Sequence, residues 1–225
     1  MADIPAHDPV KAAAALAPKI REARDELDSA RRLPVPLVEE LDKAGLLRLG
    51  LPRSMGGLES DPLTSFHAIE ELSRADGSVG WCAMLSSGTA ILTGWLKADV
   101  ARSMFGQPPE FRLAGSIRPE GRALDVDGGY RVSGRWDYAS GVDHATWLLC
   151  TCNVEDDNGP ILTAEGTPVT RVLFAPAQAA TIIDTWHVMG MKGTGSNDFV
   201  LDDVFIPDEH TFSLLDPPQE NGTLY

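Results

Sequence analysis

The stretch from Tyr130 to Ser140 is the part of the sequence whose residue types and spacing point most clearly to chemistry. Hydrophobic and polar residues alternate along it, and this period of two predicts a β-strand with two different faces. One face carries apolar or aromatic side chains and a terminal hydroxyl: Tyr130, Val132, Trp136, Tyr138 and Ser140. Such a face suits a flat ligand, because rings stack on its plane while the hydroxyl bonds to an edge atom. The alternative is a structural strand of a sandwich core, whose serine bonds to nearby backbone.

Other clusters give weaker chemical signals. Asp143 and His144 could form an acid–base pair, but neighbouring strand residues point to opposite sides, so we expect the pair in a loop or on the surface. Cys150 and Cys152 lie two apart in an apolar strand, and we expect both to be core residues rather than metal ligands. The histidines have no zinc-like spacing, so no metal site is predicted. The sequence assigns no catalytic residue.

The composition is that of a globular protein. The chain has 225 residues, enough for one large or two small domains, with 43% hydrophobic and 23% charged residues. A net charge of −14 argues against nucleic acid or an anionic membrane as partner. Three cysteines form no disulfide framework and indicate a reducing compartment. We find neither a signal peptide nor an apolar run of membrane-spanning length, and therefore expect a cytoplasmic protein.

Residues 1–109 predict an N-terminal all-α domain. Asp8 and Pro9 open a first helix, which Pro18 is expected to kink or split. A second helix begins near Pro36 and stops at Gly45.

The third predicted helix opens at Asp61-Pro62, and Ser78 is expected to cap the buried segment that follows and runs to about Trp95. A short last helix then precedes Gln107. The apolar residues expected to face inward on the third helix are Leu63, Phe66, Ile69 and Leu72.

Residues 110–212 predict an all-β sandwich or flattened barrel, so the fold class is α+β. Asp127-Gly128-Gly129 predicts a hairpin turn between Ala123–Val126 and the strand from Tyr130. Further strands are expected at Arg112–Ile117, Thr146–Asn153, Thr170–Phe174, Thr181–Met189 and Phe199–Ile206, with a loop at Asn158-Gly159-Pro160. Residues 213–225 are polar and proline-bearing, and they predict a linker.

The run YRVSGRWDYASGVDHATW resembles the middle-domain signature of the acyl-CoA dehydrogenase superfamily. Its W-x-Y-x-S-G form is similar to the two-component flavin-dependent monooxygenases rather than to the W-I-T form of the dehydrogenases proper. The resemblance implies FAD or FMN, supplied reduced by a partner flavin reductase, and O₂ acting on a small-molecule substrate. Family members continue with a four-helix C-terminal domain and form homo-oligomers, commonly tetramers. No counterpart of that domain follows here, so the resemblance also implies a truncated chain.

The resemblance implies flavin contacts at two strand ends. Ala114, Gly115 and Ser116 would lie along the pyrimidine edge of the ring, where fixed donors stabilise the charge of the reduced flavin. Near its N5 atom, the ring would be covered by a wall that excludes water and carries one hydroxyl; this wall would be formed by Trp136, Tyr138 and Ser140.

A third implied flavin contact is the turn GMKGTGSNDF, residues 190–199. Thr194 and Ser196 would supply donors there, as in an anion-binding nest. Lys192 replaces the arginine common in the monooxygenases, which keeps the charge but loses the bidentate fork. The alternative is a tight turn between strands.

In the helical domain, SVGWC at residues 78–82 resembles the start of the helix that lines the family's substrate pocket. The resemblance places Trp81, Ser86 and Thr89 at that pocket. Some aromatic hydroxylases carry a phenol-binding histidine further along this helix, and none stands here.

Three functions remain open from the sequence. The first is a flavin-dependent monooxygenase. The second is an acyl-CoA dehydrogenase that oxidises a thioester, since a shared fold does not choose between reactions. The third is a truncated, non-catalytic fragment that self-associates through an exposed apolar face.

Overall fold

The computed structural model describes residues 8–106 and 111–225, in which helices come first and strands follow. The helices are α1 Pro9–Glu22, α2 Arg24–Ala30, α3 Val35–Lys43, α4 Pro62–Ala75, α5 Gly77–Thr89 and α6 Ala98–Phe105. Short 3-10 turns occupy Arg53–Met55 and Ala90–Trp95. In the two described ranges, no helix combines the length and apolarity needed to cross a membrane. The predicted domain boundary at 109/110 lies outside the described residues.

Aspartate side chains begin α1 and α4, where the first N–H groups of a helix have no partner within it. The Asp8 carboxylate accepts from the N–H groups of Val10 and Lys11, each at 3.1 Å. Asp61 caps α4 in the same way. The predicted starts at these two aspartates are therefore confirmed.

Two details of the helix prediction are wrong. Asp76 rather than Ser78 caps α5, since its carboxylate accepts from the N–H of Ser78 at 2.8 Å and the helix begins at Gly77. Of the two effects predicted for Pro18, the split does not occur, since α1 continues to Glu22, and the kink remains a prediction. Pro18 lies on the exposed face, where water can bond to the carbonyl that loses its helical partner.

The inward face of α4 also differs from the prediction. Leu72 is buried, but Leu63 is 65% and Phe66 is 61% exposed. Leu63 lies nine residues before Leu72, about two and a half turns at about 3.6 residues per turn, and therefore on the opposite side. The buried stripe of α4 is Ala68, Leu72 and Ala75. The small side chains of the two alanines let α1 approach closely.

The described strands form one mixed sheet. They are β1 Leu113–Val126, β2 Gly129–Trp136, β3 Trp147–Asp156, β4 Gly159–Pro160, β5 Thr170–Pro176, β6 Thr181–Ile183, β7 Asp198–Pro207 and β8 Thr211–Phe212. Their order is β6-β7-β2-β1-β3-β5-β8, with β4 paired to β3. Only β1 and β3 run parallel among these pairs. The predicted α+β class and the hairpin between β1 and β2 are confirmed.

Three strand predictions need correction. The two strands expected around Ile117 and Ala123 are one strand, β1, whose register shifts at Pro119, a residue without an N–H for the ladder. The predicted strand to Met189 ends at Ile183. The loop predicted at 158–160 contains the short strand β4.

Aromatic packing joins the helices to the sheet. Phe105 of α6 meets Phe111 edge to face, with ring centroids 4.7 Å apart, and meets Trp147 at 5.6 Å. Phe174 of β5 lies in the same buried cluster. This cluster joins α6 to the sheet, and α5 contacts β1 directly.

Residues 213–225 fold back on the helices. The Trp95 indole N–H donates to the Asp216 carbonyl at 2.7 Å, and the Tyr225 hydroxyl donates to the Ile91 carbonyl at 3.1 Å. That this segment leads to a further domain remains a prediction.

The cysteines are free and buried, as predicted for core residues. Burial raises the pKa of the Cys82 thiol to about 12, and the neighbouring Cys152 thiol together with burial raises the pKa of Cys150. Thiolate is the reactive form, so the native protein is expected to show no thiol that reacts with a disulfide reagent at about pH 8, near the ordinary cysteine pKa. All three thiols of the sequence should react after denaturation in urea. A rapidly labelled thiol in the native state would contradict this packing.

Candidate functional site

A cavity of about 610 Å³ lies where α5 meets the sheet. Its walls come from α5, from the middle of β1 and from the connections that follow β2 and β6. Eight residues predicted for the site line it: Trp81, Thr89, Gly115, Ser116, Tyr138, Ser140, Thr194 and Ser196. The size lies within the usual range for small-molecule sites, about 300–1,000 Å³.

A chain of hydrogen bonds runs along one wall of the cavity. The Ser140 and Ser196 hydroxyl oxygens are 2.7 Å apart, and Ser196 lies 2.7 Å from the Thr194 hydroxyl. The Trp81 indole N–H donates to Ser140 at 3.0 Å, and the Thr194 hydroxyl donates to the Met191 carbonyl at 2.9 Å. The three hydroxyl residues are buried. Side chains from α5 and from two connections thus meet in one polar line within an otherwise apolar wall.

Unusual backbone conformations shape the two connections. Tyr138 has φ +54° and Met191 has φ +57°, in the left-handed region that L-residues seldom adopt. Strain of this kind costs about 1–3 kcal/mol per residue and tends to occur at functional sites. In the first connection, the Ser140 N–H donates to the Tyr138 carbonyl at 2.8 Å. The turn brings Ser140 to the cavity.

The predicted continuous wall of Trp136 and Tyr138 is wrong. The strand β2 ends at Trp136, and the positive φ of Tyr138 breaks the alternation on which the prediction rested. Trp136 is 0% exposed, stacks on Phe199 with ring centroids 5.0 Å apart, and donates to the Thr151 carbonyl at 3.1 Å. It belongs to the core of the sheet, whereas Tyr138 is 63% exposed and lines the cavity.

The rim of the cavity carries aromatic rings and the ion pair of Arg118 with Asp137. Tyr138 meets Trp186 edge to face, with ring centroids 6.2 Å apart. The Arg118 guanidinium lies 5.7 Å from the centre of the Tyr138 ring and pairs with the Asp137 carboxylate. Such a rim can stack on a flat ring and offer guanidinium N–H donors to a polar substituent.

The middle of β1 forms a second wall. Gly115 has φ +141°, and a Cβ there would lie 1.9 Å from the Leu149 carbonyl oxygen, so this position requires glycine. Ser116 lines the cavity, and its hydroxyl accepts from the N–H of Arg118 at 3.3 Å. Ala114 is buried beside a smaller adjoining cavity.

The α5 residues have two different roles. Trp81 is 44% exposed and lines the cavity together with Thr89. The prediction that Ser86 faces the pocket is wrong, because its buried hydroxyl donates to the Leu47 carbonyl at 2.8 Å and accepts from the Leu113 N–H at 3.1 Å. Ser86 therefore ties α5 to β1.

Lys192 and the Asp143-His144 pair lie away from the cavity wall. Lys192 begins a 3-10 turn, and a flavin contact by it remains a prediction. Asp143 and His144 lie in another such turn, as expected for a loop. Burial and the nearby Arg112 lower the pKa of His144 to about 4, so its imidazole is neutral at pH 7.

Sequence reasoning missed two lining residues in the segment from Asp184 to Met191: Trp186, where a strand was predicted, and Met191, which lies in the turn predicted to contact flavin. Arg31 holds this segment by donating to both carboxylate oxygens of Asp184, each at 2.7 Å, and to the Trp186 carbonyl at 3.0 Å. The Asn197 amide oxygen accepts from the Trp186 N–H at 3.0 Å. These contacts link residues that are far apart in the sequence, so no local pattern predicts them.

The Arg31–Asp184 contact predicts a pH dependence. The hydrogen bonds from Arg31, with a smaller effect of His187, lower the pKa of Asp184 below its ordinary value of 3.8. Because the folded pKa is the lower one, the stabilisation is present above 3.8 and is lost as the pH falls through the folded pKa. The free energy of unfolding in urea should therefore differ between wild type and Asp184→Asn above this value, and the difference should shrink below it. Asp202→Asn, at an exposed position, is the matched control. A difference that stays constant with pH would contradict the assignment.

Within residues 8–106 and 111–225, no three His, Cys, Asp or Glu side chains are grouped closely enough to hold a metal ion.

Residues 11–97 match the family described as acyl-CoA dehydrogenase, N-terminal domain. The chain is 34% identical over 201 residues to the flavin-dependent monooxygenase, oxygenase subunit HsaA, of Rhodococcus jostii, covering 89% of this chain and 50% of the relative. It is 35% identical over 203 residues to the FADH(2)-dependent resorcinol hydroxylase, oxygenase component, of a Rhizobium strain, covering 90% and 48%.

The fold is also similar to that of a solved structure, XiaF from Streptomyces sp. in complex with FADH2 and glycerol. The TM-score is 0.82 at 31% identity, over 92% of this chain and 50% of that chain. The chain thus spans about half the length of the curated relatives it matches.

Proposed function

The chain belongs to the acyl-CoA dehydrogenase superfamily, and on that premise we propose that it is the flavin-binding part of a flavin-dependent monooxygenase. In this proposal the cavity between α5 and β1 receives the ring of a reduced flavin. The observation that carries the proposal is the apolar cavity with a line of buried hydroxyls on one wall. The flavin would supply the electrons that activate O₂.

The residues present fit a flavin ring. Tyr138 and Trp186 offer aromatic edges and faces at the rim, and Arg118, which is paired with Asp137, offers N–H donors to the electron-rich end of the reduced ring. Ser140 offers a hydroxyl to an edge atom, and Ser116 lies on the facing strand. The proposed contacts, Ala114 among them, concern the ring, which FAD and FMN share.

The names of the relatives support hydroxylation rather than thioester oxidation. They are oxygenase subunits or components, which supports a partner flavin reductase as the source of reduced flavin. A small organic substrate would enter beside Trp81 and Thr89 on α5. The assembly into a homo-oligomer and the cytoplasmic setting belong to the same proposal, and the free, buried cysteines are compatible with a reducing compartment.

Anaerobic titration of the chain with dithionite-reduced FMN and FAD tests the first step. Trp81 and Trp186 line the cavity, so flavin binding should quench tryptophan fluorescence in a saturable way. Tyr138→Ala should weaken binding, while Phe66→Ala, on the exposed face of α4, should leave it unchanged. Absence of saturable quenching in the wild type with both reduced flavins would overturn the proposal. Substrate-dependent oxygen uptake in the presence of a flavin reductase would then test the reaction.

A further inference from the structure

The hydroxyl chain on the cavity wall has a direction that follows from counting hydrogens. A carbonyl oxygen only accepts, so the Thr194 hydroxyl must donate its single hydrogen to the Met191 carbonyl at 2.9 Å. Thr194 then has only lone pairs for Ser196, and Ser196 must donate to it. Ser196 in turn has only lone pairs for Ser140, and Ser140 must donate to Ser196.

The other end of the chain leaves Ser140 as an acceptor towards the cavity. The Trp81 indole is a donor only, and it occupies one lone pair of the Ser140 oxygen at 3.0 Å. The single Ser140 hydrogen points to Ser196. What remains for a ligand is the second lone pair, because an sp³ hydroxyl oxygen carries two.

We propose that Thr194 and Ser196 are positioning residues that turn Ser140 into a hydrogen-bond acceptor, so that the cavity selects a ring presenting an N–H at this point. This inference rests on the proposed function. Reduced flavin carries a hydrogen on N5, whereas oxidised flavin has a lone pair there. Thr194 and Ser196 thus favour the reduced ring indirectly, because they fix the direction in which the Ser140 hydroxyl points.

Reversing the chain has a defined penalty. For Ser140 to donate to a ligand, Ser196 has to turn its single hydrogen from Thr194 to Ser140. Thr194 still donates to the Met191 carbonyl, so no hydrogen is left between Thr194 and Ser196 and that hydrogen bond is lost. The hydroxyls are buried, so the lost hydrogen bond is not replaced by water. One neutral hydrogen bond corresponds to a preference of about fivefold, within a range of roughly two- to twelvefold.

The test is the ratio of the dissociation constants of oxidised and reduced FMN, measured by tryptophan fluorescence in the intact chain. Thr194→Val keeps both serines and nearly the same volume, but it removes the acceptor that orients them. The ratio should fall about fivefold in this variant. Thr194→Ser restores the hydroxyl and should restore the ratio. Ser196→Ala should lower the ratio as Thr194→Val does, and Ser133→Ala, which removes a hydroxyl bonded to the Asp203 N–H, is the matched control that should not.

The outcomes separate this inference from the proposed function. If the wild type binds neither flavin form, both are overturned. If it binds flavin but shows no preference for the reduced form, or if Thr194→Val leaves the ratio unchanged, only the role of the hydroxyl chain is overturned. If Thr194→Val lost affinity equally for oxidised and reduced FMN, Thr194 would have only a structural role. That result would also overturn the role of the hydroxyl chain.

Discussion

Replacing Trp136 with alanine is expected to lower the free energy of unfolding by about 3–5 kcal/mol. The side chain is 0% exposed and stacks on Phe199. Its indole N–H bonds to the Thr151 carbonyl, which would be left without that donor. Gly121 and Gly134 make room for the ring, since a Cβ at either position would lie within 2.9 Å of it. The alanine variant leaves a large cavity that these backbone neighbours cannot fill.

Urea unfolding of Trp136→Ala and of the milder Trp136→Phe measures this effect. Tyr138→Ala is the contrasting variant, because the Tyr138 side chain is 63% exposed. We expect it to change stability by no more than about 0.5 kcal/mol while weakening flavin binding. If folded Trp136→Phe lost flavin affinity as strongly as Tyr138→Ala, the placement of Trp136 in the core would be wrong.

The features that could be predicted from the sequence are those set by local chemistry. Asp8 and Asp61 accept from N–H groups two and three residues ahead, so the caps are visible in a few consecutive letters. The hairpin between β1 and β2 needs only a turn containing Gly128, with φ +78°. The break from helices to strands is likewise a change of local pattern.

Local pattern alone does not decide on which face of a strand or helix a residue lies. A single left-handed residue, Tyr138, ends the parity that would place it beside Trp136. On α4, Leu63 and Leu72 both belong to an apolar pattern, but only the stripe against α1 is buried. Local alternation does not reveal which of two apolar faces meets a partner.

The candidate site depends on tertiary contacts that no local pattern contains. Ser140 and Ser196 are 56 positions apart, and Arg31 and Asp184 are 153 positions apart. The resemblance to the family placed Ser140, Thr194 and Ser196 at one site, but it treated each as a separate flavin contact. Their mutual hydrogen bonds, and hence the direction of the chain, became visible only in three dimensions.

Gly115→Ala is expected to destabilise the protein by about 2–5 kcal/mol. The φ of +141° is unfavourable for alanine, and the added Cβ would lie 1.9 Å from the Leu149 carbonyl oxygen. Leu149 is the register partner of Gly115 in the parallel pair of β1 and β3. Backbone cannot move aside as a flexible side chain does, so the two strands must separate at the cavity edge.

Gly128→Ala separates the cost of the positive φ from the cost of the clash between Cβ and backbone. Gly128 also has a positive φ, +78°, but a Cβ there meets nothing within 4 Å. Its replacement should cost only the backbone strain, about 1–2 kcal/mol, and should leave flavin binding intact. Urea unfolding and fluorescence titration of the two variants make the comparison. A Gly115→Ala protein as stable as Gly128→Ala, with wild-type flavin affinity, would show that β1 does not approach β3 as closely as described. In that case the second wall of the cavity would have to be placed elsewhere.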